Sequence, residues 1–315
     1  MKSKTLFMLA VLSLSTTAGY SNQKTEVPYT ISDNVDLVLL DASVKDPRGG
    51  YVTGLAKDAF RVTEDGRPRQ ITTFANVDAP VTVGLVVDNS GSMRLKRPEV
   101  ILAGLAFAKE SNPRDEFFVV NFNDSVVHGL PPSTPFTDDL QTLRAALYYG
   151  KAAGKTALYD AIAVALQDLQ KGHHDKRTLI VVSDGGDNAS KISQRELMTV
   201  IESSRATIYT VGMVDQGDAD FNPRLLRKVA AVSGGQYFQP RTPDEVIPLF
   251  KKISKDIRSR YTIGYVPDEK NTKRRIRSVK ITAQSEGRKL IVKSRTSYLI
   301  SPAHDASNEV QEPQR

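Results

Sequence analysis

The chain has 315 residues, enough for about two domains with cores of their own. Hydrophobic residues make up 40% and charged residues 25%, an ordinary globular balance with a net charge of +7. There is no cysteine, and there are four histidines; this excludes disulfides, thiolate metal sites and cysteine nucleophiles, and argues against an imidazole cluster. Taken in chain order, Met1-Lys2-Ser3-Lys4 and the apolar run Leu6–Leu14 read as a secretory signal peptide over 1–21, cleaved between Ala18 and Ser21. The run is short for a membrane span, so an uncleaved anchor is the lesser alternative. With no cysteine for lipid attachment and no second long apolar run, the mature protein is expected to be soluble and not integral to a membrane, in the periplasm or outside the cell.

Residues 22–79 open with a polar stretch and then read as short strands. These are 35–44, Tyr51–Leu55, Phe60 to Gly66 running into a hairpin, and its partner Gln70–Phe74. Such strands are too few to bury a core alone. From 80 to 258 strands and helices alternate, which predicts an α/β fold: a doubly wound, mostly parallel sheet flanked by helices. The strands fall at 82–87, 116–122, 126–129, 178–183, 206–212 and 236–238. The helices fall at 96–110, 138–147, 157–170, 194–203, 222–232 and 243–258. Ser193 with Glu196 has the form of a capping box for the helix at 194. Residues 259–300 return to strands, at Tyr261–Tyr265, Arg277–Ala283 and Lys289–Arg295; they are expected to pair with 35–79 as one smaller all-β domain. Residues 301–315 are polar and aperiodic and are expected to be disordered. Basic residues concentrate late, from Lys251 to Arg260 and from Lys270 to Lys280. They read as a solvated face, or as a surface for an anionic envelope or an acidic protein. No aromatic-interleaved basic motif suggests nucleic acid.

The chemistry concentrates at Asp88-Asn89-Ser90-Gly91-Ser92, directly after the apolar run Val83–Val87. One carboxylate and two hydroxyls leave the end of a buried strand together, and oxygen-only ligands of this kind suit Mg²⁺ or Mn²⁺ rather than Zn²⁺. A capped strand-to-helix turn would need the same residues. Two further fragments follow. Gly154-Lys155-Thr156 precedes a helical segment, where Thr156 could simply cap it. Leu179–Val182 leads into Ser183-Asp184-Gly185-Gly186, where Asp-Gly alone would read as a turn.

Together the three fragments, in this order, resemble the von Willebrand factor type A family, whose metal-ion-dependent adhesion site has the signature Asp-x-Ser-x-Ser. The layout over about 35–300 also resembles exported bacterial relatives of that family known from acidobacteria. Gly54-Leu55 with Phe60, the Glu64-Asp65-Gly66 hairpin and Tyr261–Tyr265 carry that match. The resemblance implies metal ligation by Asp88, Ser90, Ser92, Thr156 and Asp184, with Mg²⁺ as the ion and Mn²⁺ or Ca²⁺ as alternatives. It also implies a rim of Asn89, Arg94, Lys155 and Asp187 and a protein ligand that presents Asp or Glu. Lys155 departs from the family's usual glycine. The reading is then an exported, metal-dependent protein-binding module for adhesion or assembly, and not an enzyme. Two alternatives stand beside it, an envelope scaffold with an idle site and a Mg²⁺-dependent hydrolase. Against the hydrolase, no histidine base, phosphate-cradling glycine loop or second carboxylate cluster accompanies the motif.

Overall fold

The computed structural model describes residues 37–213, 221–267 and 276–300. The expected signal peptide and C-terminal tail lie outside the described residues. The first strands are β1 (Val38–Lys45), β2 (Phe60–Glu64), β3 (Arg67–Arg69) and β4 (Ile71–Ala75). Strands and helices then alternate through β5 (Val81–Asp88), α1 (Arg97–Lys109), β6 (Glu116–Phe122), β7 (Val126–His128), α2 (Leu140–Tyr148) and α3 (Leu158–Leu169). They continue through β8 (Lys176–Ser183), α4 (Gln194–Ser203), β9 (Thr207–Gly212), α5 (Pro223–Ser233), β10 (Tyr237–Phe238) and α6 (Val246–Arg258). The chain finishes on β11 (Tyr261–Tyr265), β12 (Ile276–Ser285), β13 (Arg288–Lys289), β14 (Ile291–Ser294) and β15 (Ser297–Leu299).

β5 is the axis of the α/β region. It lies between β8 and β6 in a sheet of order β10-β9-β8-β5-β6-β7, parallel except where the edge strand β7 runs against β6. Every residue of β5 is buried, so both faces of the sheet are covered; this is why the strand reads as an unbroken apolar run rather than an alternation. α1 packs on α2 and α6, while α3 packs on α4 and α4 on α5. The capping box of α4 forms as its sequence implies, with Ser193 and Glu196 each closing on the other's backbone. Because the chain moves from β5 to β6 on one side and to β8 on the other, the strand order reverses at β5. In open α/β sheets the carboxyl ends of strands at such a reversal form the ligand crevice.

The remaining strands form two antiparallel sheets, β14-β1-β11-β4 and β13-β12-β2-β3, with β15 also paired to β12. Strands from before Pro80 thus pair with strands from after Arg260: β1 with β11 and β14, and β2 with β12. Between them lies a second apolar core that includes Leu40, Val44, Phe60, Tyr261, Ile263 and Ile281. β12 shows the alternation of a strand with one wet face, Arg277, Val279, Ile281 and Ala283 being buried and their neighbours exposed. One expectation needs correction. The hairpin partner of β2 is β3, not the segment at 70–74. Asp65 and Gly66, both at positive φ, make a two-residue turn that pairs the residues immediately beyond it, and β4 then crosses to pair with β11. Of the strand expected at Tyr51–Leu55, Tyr51 alone makes a bridge, to Lys45. A buried ion pair joins the two cores. Asp256 of α6 accepts from Ser43 of β1 at 2.9 Å, from Tyr209 of β9, and from Arg260 at 3.0 Å.

Candidate metal centre

Asp88 closes β5 and is fully buried. Its two oxygens are both held. Oδ1 accepts from the Ser90 backbone N–H at 2.8 Å, and Oδ2 accepts from the Ser183 hydroxyl at 2.6 Å. Parallel pairing of β5 with β8 places Val87 opposite Val182, which brings Ser183 and Asp184 beside Asp88. From Ser90 the chain enters a short 3₁₀ turn, Gly91–Met93, which points Ser90 and Ser92 the same way. Their hydroxyl oxygens lie 3.1 Å apart, and Ser92 donates to Asp184 Oδ2 at 2.6 Å. Asp184 Oδ1 accepts from the Gly186 backbone N–H at 3.0 Å. Gly185 between them has φ +85°, and a Cβ there would meet the Asn222 carbonyl at 2.7 Å, so only glycine fits.

The second loop lies against the first. Gly91 N–H donates to the Gly154 carbonyl at 3.2 Å, and Ala153 N–H to the Asn89 carbonyl at 2.9 Å. Gly154 has φ +83°, and a Cβ there would fall 1.8 Å from Asp124 Oδ2. Thr156 follows, nearly buried, its backbone clamped at both ends by Asn188. Its N–H donates to Asn188 Oδ1 at 2.9 Å, and its carbonyl accepts from Asn188 N–H at 2.9 Å. Thr156 does not cap α3; the cap position is Ala157, with no side-chain bond of its own. The loop after β8 caps the helix instead: Asp187 accepts from Tyr159 N–H at 3.1 Å, and Ser190 from Asp160 N–H at 3.1 Å. Asp160 returns the favour by accepting from Lys191 and Ile192 N–H.

Charge sets what this cluster can do. Burial pushes the Asp88 carboxyl up to about 6; the neighbouring Asp184 charge adds to the push, while hydrogen bonds from Ser183 and Ser90 favour the ionised form. Neither Asp88 nor Asp184 has an ion-pair partner among the described residues, although buried carboxylates elsewhere in the chain do. Among the described residues no three His, Cys, Asp or Glu side chains gather closely enough to hold a metal by themselves, so hydroxyls, carbonyls or waters would have to complete any coordination shell. Two unneutralised carboxylates with serine and threonine hydroxyls and no nitrogen or sulfur donor suit a hard divalent cation.

The structure brings Asp88, Ser90, Ser92 and Asp184 into one hydrogen-bonded chain and sets the loop of Thr156 against it. The expected rim divides. Arg94 and Lys155 are exposed. Asn89 is buried and turned inward, donating to Asn121 Oδ1 and to the Tyr149 carbonyl at 3.3 Å each, because the backbone turn after β5 sends alternate side chains to opposite sides. Asp187 is half-buried and spent on capping α3. Sequence reading missed Ser183, Asn188 and Asp124. Strand pairing could have found Ser183, since the two apolar runs end in Asp88 and Ser183-Asp184; nothing local marks the other two.

Residues 83–186 match the family described as the von Willebrand factor type A domain. An uncharacterised protein of Synechocystis is 25% identical over 186 residues, which is 55% of this chain and 41% of that protein. The chain therefore spans less than half the length of that relative. Among solved structures, a von Willebrand factor type A protein from Catenulispora acidiphila superposes with a TM-score of 0.51 at 16% identity, over 83% of this chain and 73% of that one. Proximal thread matrix protein 1 from the mussel byssus gives 0.50 at 14% identity, over 62% of this chain and 51% of its own. At such identities the likeness is one of fold.

Proposed function

Since the chain carries a von Willebrand factor type A domain, a type of protein-interaction module that often holds a divalent metal, we propose that it is an exported module that captures an acidic residue of a protein partner through a bound cation. Asp88, Ser90, Ser92, Thr156 and Asp184 would hold the ion, Mg²⁺ in the first instance, with Mn²⁺ and Ca²⁺ as alternatives. When bound, the ion supplies a localised positive charge and an open position for a carboxylate. The chain's own residues do the rest. Ser183 and the Ser90 N–H fix the Asp88 carboxylate, Gly186 N–H fixes Asp184, and Asn188 fixes the backbone of Thr156. Arg94 and Lys155, exposed beside the site, favour an acidic partner.

The observation that carries this reading is the pair of buried carboxylates, Asp88 and Asp184, joined through two serine hydroxyls and matched by no cation among the described residues. The reading is of a binding module rather than an enzyme, because von Willebrand factor type A domains are generally non-enzymatic interaction modules. The periplasm or the cell exterior is the proposed location, from the leader at 1–21; no helix of the described residues is long and apolar enough to cross a membrane. Calorimetric titration with Mg²⁺ tests the site: saturable binding to the native chain and none to Asp88→Ala is expected. Equal affinity in both would remove Asp88 from the centre.

A further inference from the structure

A second charged site lies away from the metal centre and shares none of its residues. An open cleft of about 640 Å³ runs between α6 and the turn that follows β1, lined by Gly50 and Tyr51 on one side and by Lys251, Lys252, Lys255 and Arg258 on the other, with the Glu110 carboxylate also in its wall. Two of these cations are matched. Lys251 pairs with Glu110 at 2.6 Å, and Arg258 pairs with Asp78 at 2.6 Å and with Asp115. Lys252 and Lys255 have no ion-pair partner among the described residues, and each lies instead near an aromatic ring, Phe238 at 5.8 Å and Tyr51 at 5.9 Å. The acid of the turn, Asp46, is committed to the backbone N–H groups of Arg48 and Gly50 at 2.8 and 2.9 Å.

Behind Tyr51 the imbalance deepens. Lys45 is buried, its ammonium 4.4 Å from the centre of the Tyr51 ring and 3.7 Å from Asp256. That carboxylate already serves the buried Arg260. Lys293 sits opposite Ser43 on β14, on the strand next to Lys45. Burial lowers the affinity of both lysines for their proton, and the charges of Lys252 and Arg260 press on each. Asp256 therefore faces Lys45, Lys293 and Arg260, with Asp41 also near Arg260, and Lys252 and Lys255 are open to the cleft in front. Like charges gathered at a partly buried surface raise the local concentration of counter-ions.

We propose that this cleft binds a multivalent oxyanion, phosphate-bearing or carboxylate-bearing, held by Lys252 and Lys255. Bound there, the anion would bridge α6, the last helix of the α/β region, to the turn that follows the first strand of the antiparallel region. Lys252 and Lys255 are exposed, so replacing them leaves both cores intact. The test is calorimetric titration of the full chain, in metal-free buffer of fixed ionic strength, with tripolyphosphate and separately with citrate. The native chain is expected to bind at least one of them saturably, and which one identifies the source of the oxyanion. The double variant Lys252→Gln/Lys255→Gln should bind it about ten-fold more weakly or worse. The double variant Lys280→Gln/Lys289→Gln, exposed lysines of β12 and β13, should bind like the native chain. Binding of neither probe, binding that the first double variant retains, or an equal loss in the second would overturn the proposal.

Discussion

Buried carboxylates are treated differently at the two ends of this molecule's α/β sheet. Toward the antiparallel region each has a guanidinium of its own: Asp256 has Arg260, Asp115 has Arg258, and Glu64 within the second core has Arg69 at 2.9 Å. At the carboxyl ends of β5 and β8, Asp88 and Asp184 have backbone N–H groups and serine hydroxyls but no cation among the described residues. A buried charge without a counter-charge is costly, and the described residues supply arginines elsewhere and none here. The contrast separates carboxylates matched within the structure from carboxylates that, on the proposed function, an ion would match.

The largest effect is expected where the partner is structural and made of chain. A fragment of residues 37–265 lacks β12 to β15, so β2 loses its long neighbour and β1 loses β14. Limited proteolysis should then digest residues 37–75 while 81–258 stays resistant; equal protection of both would show that the antiparallel region does not depend on its C-terminal half. Next in size is Arg260→Met, which strips buried Asp256 of its guanidinium and leaves only the longer Lys45 contact at 3.7 Å; it should cost about 3–5 kcal/mol in urea unfolding. A loss below 1 kcal/mol would place this pair with weak surface bridges.

Smaller effects are expected at the proposed metal centre. Gly154→Ala meets both the positive φ and the Asp124 carboxylate, and should cost about 1–3 kcal/mol while also weakening Mg²⁺ binding. Loss of stability with metal affinity intact would detach the 154–156 loop from the site. Thr156→Val removes one hydroxyl without disturbing the α3 cap, which Asp187 and Ser190 provide. Stability should change by less than about 1 kcal/mol and Mg²⁺ affinity by about ten-fold. Unchanged affinity would drop Thr156 from the ligand set.

The same contrast explains what was legible in the sequence. Val83–Val87 and Leu179–Val182 announce buried parallel strands, and their endings in Asp88 and Asp184 place two acids at one sheet edge. That much follows from local pattern. The supports of the site do not, because each is a contact between distant loops: Asn188 onto Thr156, Asp124 under Gly154, and Asp187 with Ser190 onto α3. Asn89 read as a rim residue because it sits inside the motif, but it turns inward to Asn121. In the antiparallel region the strands were legible and their partners less so. The turn at Asp65-Gly66 fixes β3 as the neighbour of β2, while β4, equally strand-like, finds its partner at β11 nearly two hundred residues away.

The most direct test of the central contrast measures urea unfolding of the native chain and of Asp88→Asn, each with and without Mg²⁺. Without the ion, Asp88→Asn should be as stable as the native chain or more so, since it removes a buried charge that has no cation beside it among the described residues. With Mg²⁺ at one hundred times its dissociation constant, the native chain should gain about 2.7 kcal/mol and the variant nothing. A native chain indifferent to Mg²⁺, or a variant that gains as much, would contradict the account.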